Sequence, residues 1–443
     1  MNILVIDIDG VGLDFCIRSQ QFGHSVKLFI RKDKRNGWSN TGRGLVEKIR
    51  DWRPWMRWAS LIVLTGNETY MVELEPYRKL GYPIFGSNLV GLNLEKQREY
   101  GQKVLQACGI DILPYKVFKD YDQAESFVKK NNSKIFVSKP ASDVGAEKAL
   151  SYVPKTPADM VYKLRDWKKK GTLKSSFMLQ EFREGIEIGI AAWHGPNGFL
   201  PNKWNVNFEH KKLMNGDLGP NVGESGTVEQ YSRQDSLADK VLKALEPFLK
   251  QVGYVGDVDI NCIVDDTGKP WPLEWTTRCG WPDFWIRTAL HYGDPARWML
   301  DLLKGEDSLQ VNYDVGMGVV VAQPDYPYCH MASAENTGIP IYGVSEKNIQ
   351  NLHFSGVMLG NAPCMDGDKI VDRPMFVTTE NYILVATSIG ETVKDCQDKV
   401  YNQTLDSIKI PNGVFWRTDI GDRLKKQLPK LHGMGYAKGM RYE

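Results

Sequence analysis

A continuous apolar run from Ile3 to Ile8, stopped by Asp9 and the spaced glycines Gly10 and Gly12, leaves few options for the start of the chain. Unbroken rather than alternating apolarity belongs to a strand covered on both faces, and glycines at its end suit a tight turn into a helix. Further strand-like runs at Ser25 to Ile30, Leu61 to Leu64 and Pro83 to Phe85 alternate with helix-compatible segments, which predicts a small open parallel sheet over roughly the first ninety residues.

The pattern then changes. A polar helix-forming stretch from Leu94 to Cys108 leads into strands at Lys116 to Phe118 and Ile135 to Lys139, with a helix from Asp122 to Lys129 between them, a second and smaller α+β unit. Strands at Phe177 to Phe182 and Ile186 to Trp193 follow, and then a helical stripe of Leu237, Val241, Leu242, Leu245, Phe248 and Leu249 closed by Gly253. Tyr254 to Val264 and Trp271 to Trp275, joined by a turn at Asp265 to Lys269, read as a β-hairpin. Val315 to Ala322, Ile370 to Thr378 and Tyr382 to Ile389 are predicted strands of a third α+β module, with Glu391 to Asn402 as its helix. The expected class is α/β and α+β, divided into 1–92, 93–308 with a small lobe at about 115–182, and 309–443.

Composition narrows the function classes. Of 443 residues, 56 are Lys or Arg and 54 Asp or Glu, so the formal charge of +2 supplies no global field for gripping a duplex, and a nucleic-acid partner is disfavoured. No basic flank with a cleavage site precedes the first strand, and no stretch is long and apolar enough to span a bilayer, so a soluble cytoplasmic protein, monomer or homodimer, is expected. The seven cysteines are scattered without a CxxC pair, which points to core thiols rather than a disulfide framework or a zinc site.

Three features are too polar for their surroundings. Lys139 ends the apolar strand Ile135-Phe136-Val137-Ser138, where an ammonium needs an anionic partner such as a phosphate or a route to solvent. Gln180-Glu181-Phe182-Arg183-Glu184-Gly185-Ile186-Glu187 is a strand broken at Gly185, whose bend offers backbone groups beside acids, suited to a purine edge and ribose hydroxyls or simply to solvent. On the hairpin, alternation puts Asp257, Asp259 and Asn261 on one face, and Glu274 and Thr276 on one face of the next strand. These oxygens could converge on a hard cation such as Mg²⁺.

A strand lysine, an acidic bend some forty positions later and a paired-strand carboxylate followed by Arg278 resemble the ATP-grasp ligases. The closer resemblance is to the phosphoribosylamine–glycine ligase (glycinamide ribonucleotide synthetase) family. Glu209-His210-Lys211-Lys212 and Gly219-Pro220-Asn221-Val222-Gly223 resemble its DHK and GPNTGGMG elements, Ile84-Phe85-Gly86 its IFGP, Leu273 to Gly280 its IEFNCRFGDPE, and Arg417 to Gly421 its RxDIG. That resemblance implies an ATP-grasp fold behind an N-terminal open-sheet domain, with a small C-terminal α+β domain. It also implies a ligase that uses ATP and Mg²⁺ (or Mn²⁺) to join an amino acid to an amine through an acyl phosphate.

By the same resemblance, Lys139 and Arg98 contact the phosphates, Gln180, Glu181 and Arg183 the adenine, and Glu187 the ribose. Glu274, with Asn261 and Thr276, holds the metal. Arg278, Asp217 and Asn221 face the reacting substrates, and Gly10, Gly12, Lys211, Gly219, Pro220 and Gly223 line the small-molecule site.

Several positions depart from the family pattern. The phosphate-covering loop reads Pro140 to Lys148 with Gly145 alone, and Asp7, Asp9 and Asp14 stand in the turn where the family carries GNGGREHA to hold a phosphate. Val222, Glu224, Ser225, Thr276 and Trp281 also differ. Two alternatives therefore stand beside the main reading: a ligase acting on a different amine such as a modified nucleotide, and a nucleotide-binding module without turnover. The basic loop Arg31 to Gly44 could hold a phosphorylated acceptor, and Trp52 to Trp58, with interleaved Arg, is either a base-stacking run or an aromatic packing edge.

Overall fold

The structure is a computed structural model that describes residues 1–443 apart from 34–36, 68, 141–150, 173–175, 330–331 and 412, with the backbone alone at 32, 33, 37 and 38. The phosphate-covering loop after Pro140 and the middle of the basic loop lie outside the described residues.

The N-terminal sheet is parallel throughout, in the order Glu47–Ile49, Ser25–Ile30, Asn2–Asp7, Leu61–Leu64, Ile84–Phe85. Its central strand is buried on both faces, as the unbroken apolar run requires. The turn after it closes on itself. Asp7, fully buried, accepts a hydrogen bond from Gly12 N at 2.7 Å through Oδ2, and from Thr65 Oγ1 at 2.8 Å and Asp9 N at 3.2 Å through Oδ1. A Cβ on Gly12 would meet Val5 at 2.8 Å, so the glycine is there to bring helix Gly12–Gln21 down onto its own strand. The run at 52–58 is a packing edge: Trp52 is buried against Tyr70 and Tyr77, and the Lys27 ammonium lies 3.9 Å from the Trp55 ring centre.

Tyr115–Phe118, Phe177–Glu181 and Phe136–Pro140 form a separate three-stranded antiparallel sheet. Helices Tyr121–Lys130 and Pro157–Lys170 cover it around Phe118, Val128, Met160, Leu164, Trp167 and Phe177, a core of its own. The largest sheet is antiparallel and runs Pro270–Thr276, Gly256–Val264, Ile186–Gly195, Trp204–Glu209, Gly226–Ser232, Val315–Ala322, Tyr382–Gly390, Leu352–Phe354. The strands expected for a C-terminal module are present, but Val315–Ala322 and Tyr382–Gly390 extend this central sheet, while Lys369–Thr378 pairs with Val357–Asp366 in a two-stranded arm. Both long predicted helices are broken in two. Leu89–Lys96 and Arg98–Ala107 part at Gln97, and Ser236–Lys240 and Leu242–Gln251 part at Val241, whose φ of −119° leaves the helical region while its side chain stays buried.

Helix Asp283–Leu290 lies across the central sheet, and Gly316 and Gly318 make room for it, since a Cβ on Gly318 would meet Ile286 at 2.5 Å. This carries Arg287 into the interior, where it donates to Asp257 at 2.6 Å, lies 3.7 Å from Glu229 and faces the Trp193 ring. Burial opposes its charge, but Asp257 and Glu229 outweigh that and hold the guanidinium ionised. Four of the seven cysteines are buried and Cys329 is exposed. Among the described residues no helix is long and apolar enough to cross a membrane.

Two stability measurements follow from these buried polar groups. Arg287→Met strands Asp257 and Glu229 and should lower the unfolding free energy by about 3–5 kcal/mol in urea titration; an unshifted midpoint would show the pair to be solvated. Asp7→Ala leaves the Gly12 and Asp9 amides without their acceptor and should cost roughly 2–3 kcal/mol by the same measurement.

Candidate active site

The hairpin of the central sheet and the small lobe meet at one cluster of charges. Asn261 and Glu274 are opposite in register, as are Asp259 and Thr276, so all four share a face. Glu274 is gripped twice, by Arg98 Nη1 at 2.9 Å through Oε2 and by Lys211 Nζ at 3.0 Å through Oε1. Lys211 also contacts Glu187 at 2.8 Å and Glu209 at 3.0 Å, so one ammonium serves carboxylates from three strands. Lys139 reaches from the small lobe to donate to the Leu273 carbonyl at 3.4 Å, which joins the two lobes beside Glu274.

The electrostatics are set by proximity. The Lys211 ammonium, against the opposing effect of burial and helped by Arg98 and Lys139, holds the Glu274 carboxyl well below the usual carboxylate range. Burial draws Lys139 down to about 8, with the Glu274 charge resisting and Arg98 and Lys211 adding to the shift. For Lys211 burial works against the charge, yet Glu187, Glu209 and Glu274 raise it well above the ordinary lysine value. Cations thus outnumber the acid at Glu274 itself, an arrangement that suits a polyanion such as a triphosphate.

The acidic bend lies at the exit from the small lobe. Gln180 is buried and donates to Gln102 Oε1 at 3.4 Å, Glu181 pairs with Lys134 at 2.7 Å, and Arg183 lies over the Trp271 ring at 5.1 Å. Asn261 Nδ2 donates to Glu209 at 2.9 Å, while its Oδ1 is buried and has no partner among the described residues. That orphaned oxygen, opposite a carboxylate, is of the hard-donor type a divalent cation takes.

Other expected site residues are tied elsewhere. Gly12 N is consumed by Asp7 and so is not a free donor to a substrate phosphate, while the Gly10 carbonyl accepts from Leu13 N at 3.4 Å. Asp217 does not stand alone at the cleft: Arg417 donates to it at 2.9 Å and to Lys212 O at 2.9 Å, and Asp419 accepts from Gly216 N at 2.8 Å. The segment 417–421 thereby latches the small hairpin formed by Lys212–Met214 and Leu218–Asn221. Gly219 at φ +77° and Gly223 at φ +86° shape that hairpin, with Pro220 between them and Asn221 exposed. Lys211, expected in the substrate loop, instead sits among the three carboxylates. Arg278 is held by Glu95 at 3.1 Å, and the same carboxylate accepts from Asn67 at 2.7 Å and Thr277 N at 3.0 Å, so the first sheet and the hairpin are fixed to each other.

Sequence reasoning passed over one group. Glu209, Glu224 and Asp283 each bring a carboxylate oxygen within 4.8 Å of the others. Burial, with Asp283, Glu187 and Glu274 outweighing Lys211, pushes Glu209 up to about 7, and burial beside Asp283 and Glu209 raises Glu224 further. The available signal was Asp283 and Arg287, two charges four residues apart in the otherwise apolar stretch Asp283–Leu290.

With this geometry in hand, comparison with known proteins gives a consistent answer. Residues 96–280 match the family model for the phosphoribosylglycinamide synthetase ATP-grasp (A) domain. Phosphoribosylamine–glycine ligase of Streptococcus pneumoniae (strain ATCC BAA-255 / R6) is 24% identical over 366 residues, 80% of this chain and 81% of the relative. That of Vibrio cholerae is 24% identical over 375 residues, 82% and 83% of the two chains. The crystal structure of the Thermotoga maritima enzyme of that name superposes with a TM-score of 0.70 at 20% identity, covering 95% of this chain and all of that one. Biotin carboxylase of Campylobacter jejuni shares the fold at a TM-score of 0.59 and 12% identity, over 98% of this chain and 97% of that one. Over about four-fifths of its length the chain thus resembles phosphoribosylamine–glycine ligases and shares their ATP-grasp fold, and residues 96–280 match their ATP-grasp (A) domain.

Proposed function

We propose that the protein is an ATP-dependent carboxylate–amine ligase that energises an amino acid as an acyl phosphate and passes it to an amine. The observation that carries this reading is Glu274, held ionised between Lys211 and Arg98, with Lys139 bonding the adjoining Leu273 carbonyl from the other lobe. In the reaction a substrate carboxylate attacks the γ-phosphorus, ADP leaves, and the amine nitrogen then displaces phosphate from the acyl carbon. No enzyme nucleophile is needed, so the chain's task is to position reactants and neutralise charge.

Each group has a role in that scheme. Gln180, Glu181 and Arg183, at the exit from the small lobe, border the adenine. Glu187 lies beside the ribose and Lys139, Arg98 and Lys211 beside the phosphates. Lys211 and Arg98, which pair with Glu274, would also be able to bond phosphate oxygens, and Glu274 with Asn261 Oδ1 would hold a divalent cation, with Thr276 on the same face. Such a cation, Mg²⁺ or Mn²⁺, supplies charge neutralisation at the phosphates. Arg278, fixed by Glu95, and the latched loop carrying Asp217, Asn221, Gly219, Pro220 and Gly223 border the acyl and amine substrates.

Measurement of ADP formation with ATP, Mg²⁺, glycine and a panel of amines tests the assignment; binding of nucleotide without ADP release in any mixture would leave a binding module instead. Lys139→Met should weaken ATP binding by about tenfold or more in calorimetry, and an unaltered affinity would remove Lys139 from the phosphates. Glu274→Ala should reduce turnover by at least about a hundredfold while the circular dichroism spectrum is retained; wild-type turnover would exclude it as the metal-holding carboxylate.

A further inference from the structure

Arg278 follows the strand Pro270–Thr276 that carries Glu274, and its guanidinium is fixed at two points. Nε donates to Glu95 Oε1 at 3.1 Å, and Nη1 donates to the Cys279 carbonyl at 3.0 Å. Because the guanidinium nitrogens form a rigid planar fork, two points set both its place and its plane. Cys279 is the next residue and moves with Arg278. Glu95 is the hold that comes from a distant part of the chain.

The two oxygens of Glu95 have different tasks. The carboxylate is buried near the end of helix Leu89–Lys96, and its Oε2 accepts from Asn67 Nδ2 at 2.7 Å and from Thr277 N at 3.0 Å. Asn67 is fully buried just beyond strand Leu61–Leu64, at the mouth of the first sheet, and also donates to Thr277 Oγ1 at 3.2 Å. Thr277 Oγ1 donates in turn to the Gly91 carbonyl at 2.8 Å, back on the helix of Glu95. Oε2 is thereby anchored to the framework, and Oε1 is presented to Arg278. The Lys96 ammonium lies 4.0 Å from Oε1, beyond hydrogen-bond reach, so the cation bonded there is Arg278.

Joining the first sheet to the hairpin does not by itself require a carboxylate. A neutral amide has an acceptor oxygen that could serve Asn67 and Thr277 equally well. What an amide lacks is a second acceptor oxygen, and the second oxygen of Glu95 is the one on Arg278.

Resting on the ligase reading above, in which Arg278 borders the reacting substrates, we propose that Glu95 is a positioning residue for the reaction. Anchored by Asn67 and Thr277, it holds the Arg278 guanidinium in the orientation that the transfer step uses, so that no reorganisation is needed when the substrates meet.

Glu95→Gln separates this role from a structural one. With two donors at the Oε2 position and one at Oε1, the amide oxygen stays with Asn67 and Thr277, and the NH₂ group is set against Arg278 Nε. The framework is kept and the hold on the arginine is lost. In the full chain with Mg·ATP, glycine and a panel of amines, kcat/KM for ADP formation should fall by about tenfold to a hundredfold, while Mg·ADP affinity by calorimetry is unchanged. In an Arg278→Ala background the same substitution should cause no further loss. Wild-type kcat/KM in Glu95→Gln, an equal loss in both backgrounds, or weakened Mg·ADP binding would overturn the proposal.

A second readout is independent of turnover. In protein carrying isotope-labelled arginine, the Arg278 Nε–H nuclear magnetic resonance signal, identified by its loss in Arg278→Lys, should exchange slowly with solvent in the wild type and rapidly in Glu95→Gln. Equal exchange in the two proteins would overturn the proposal as well. Absence of ADP formation by the wild type in every mixture, with the exchange changed as expected, would count against the ligase assignment while leaving the Glu95 hold on Arg278 in place.

Discussion

One ammonium balances the charges on which the cleft depends. Lys211 lies within 3.0 Å of Glu187, Glu209 and Glu274, carboxylates that arrive on three separate strands and would otherwise repel one another. Because Arg98 bonds Glu274 and Lys139 bonds the adjoining Leu273 carbonyl, the cleft is neither an acid patch nor a basic one. It is a set of paired ions whose partners can be exchanged for a charged ligand without unfolding anything. Such pairs contribute little net stability when partly solvated, so their value lies in preorganisation.

Helix Asp283–Leu290 carries charge into the polar interior at two points. Arg287 neutralises Asp257 and Glu229, and Asp283, at the start of the same helix, stands with Glu209 and Glu224. The helix reaches this depth only because Gly316 and Gly318 give it room. A pair of small residues on one strand thus determines where a carboxylate on another element is placed.

Much of the framework could be read in advance from local patterning. Ile3 to Ile8 announced a strand covered on both faces, and the alternation through Asp257 to Asn261 and Glu274 to Thr276 anticipated that these side chains share a face. What escaped were pairings between residues far apart in the chain. Asp217 is bound by Arg417, two hundred positions away, and Gly12 offers its amide to Asp7 instead of to solvent, neither of which a motif reveals. The splits at Gln97 and Val241 escaped for a related reason, since each break leaves the apolar stripe intact and only the backbone angles change. Glu224 and Asp283 come together solely because a helix crosses the sheet, and periodicity carries no information about that crossing.

The latch formed by residues 417–421 on the small hairpin has a temporal meaning. Arg417 and Asp419 fasten a loop encoded some two hundred positions earlier, and Arg423 donates to the Glu209 carbonyl at the edge of the charged cluster. During synthesis from the N-terminus, the first sheet and the small lobe can assemble while the ribosome is still at work. The cleft cannot, because its clasp emerges some two hundred positions after the hairpin it fastens. A nascent chain is therefore kept from presenting a finished cleft until residues 417–421 have followed.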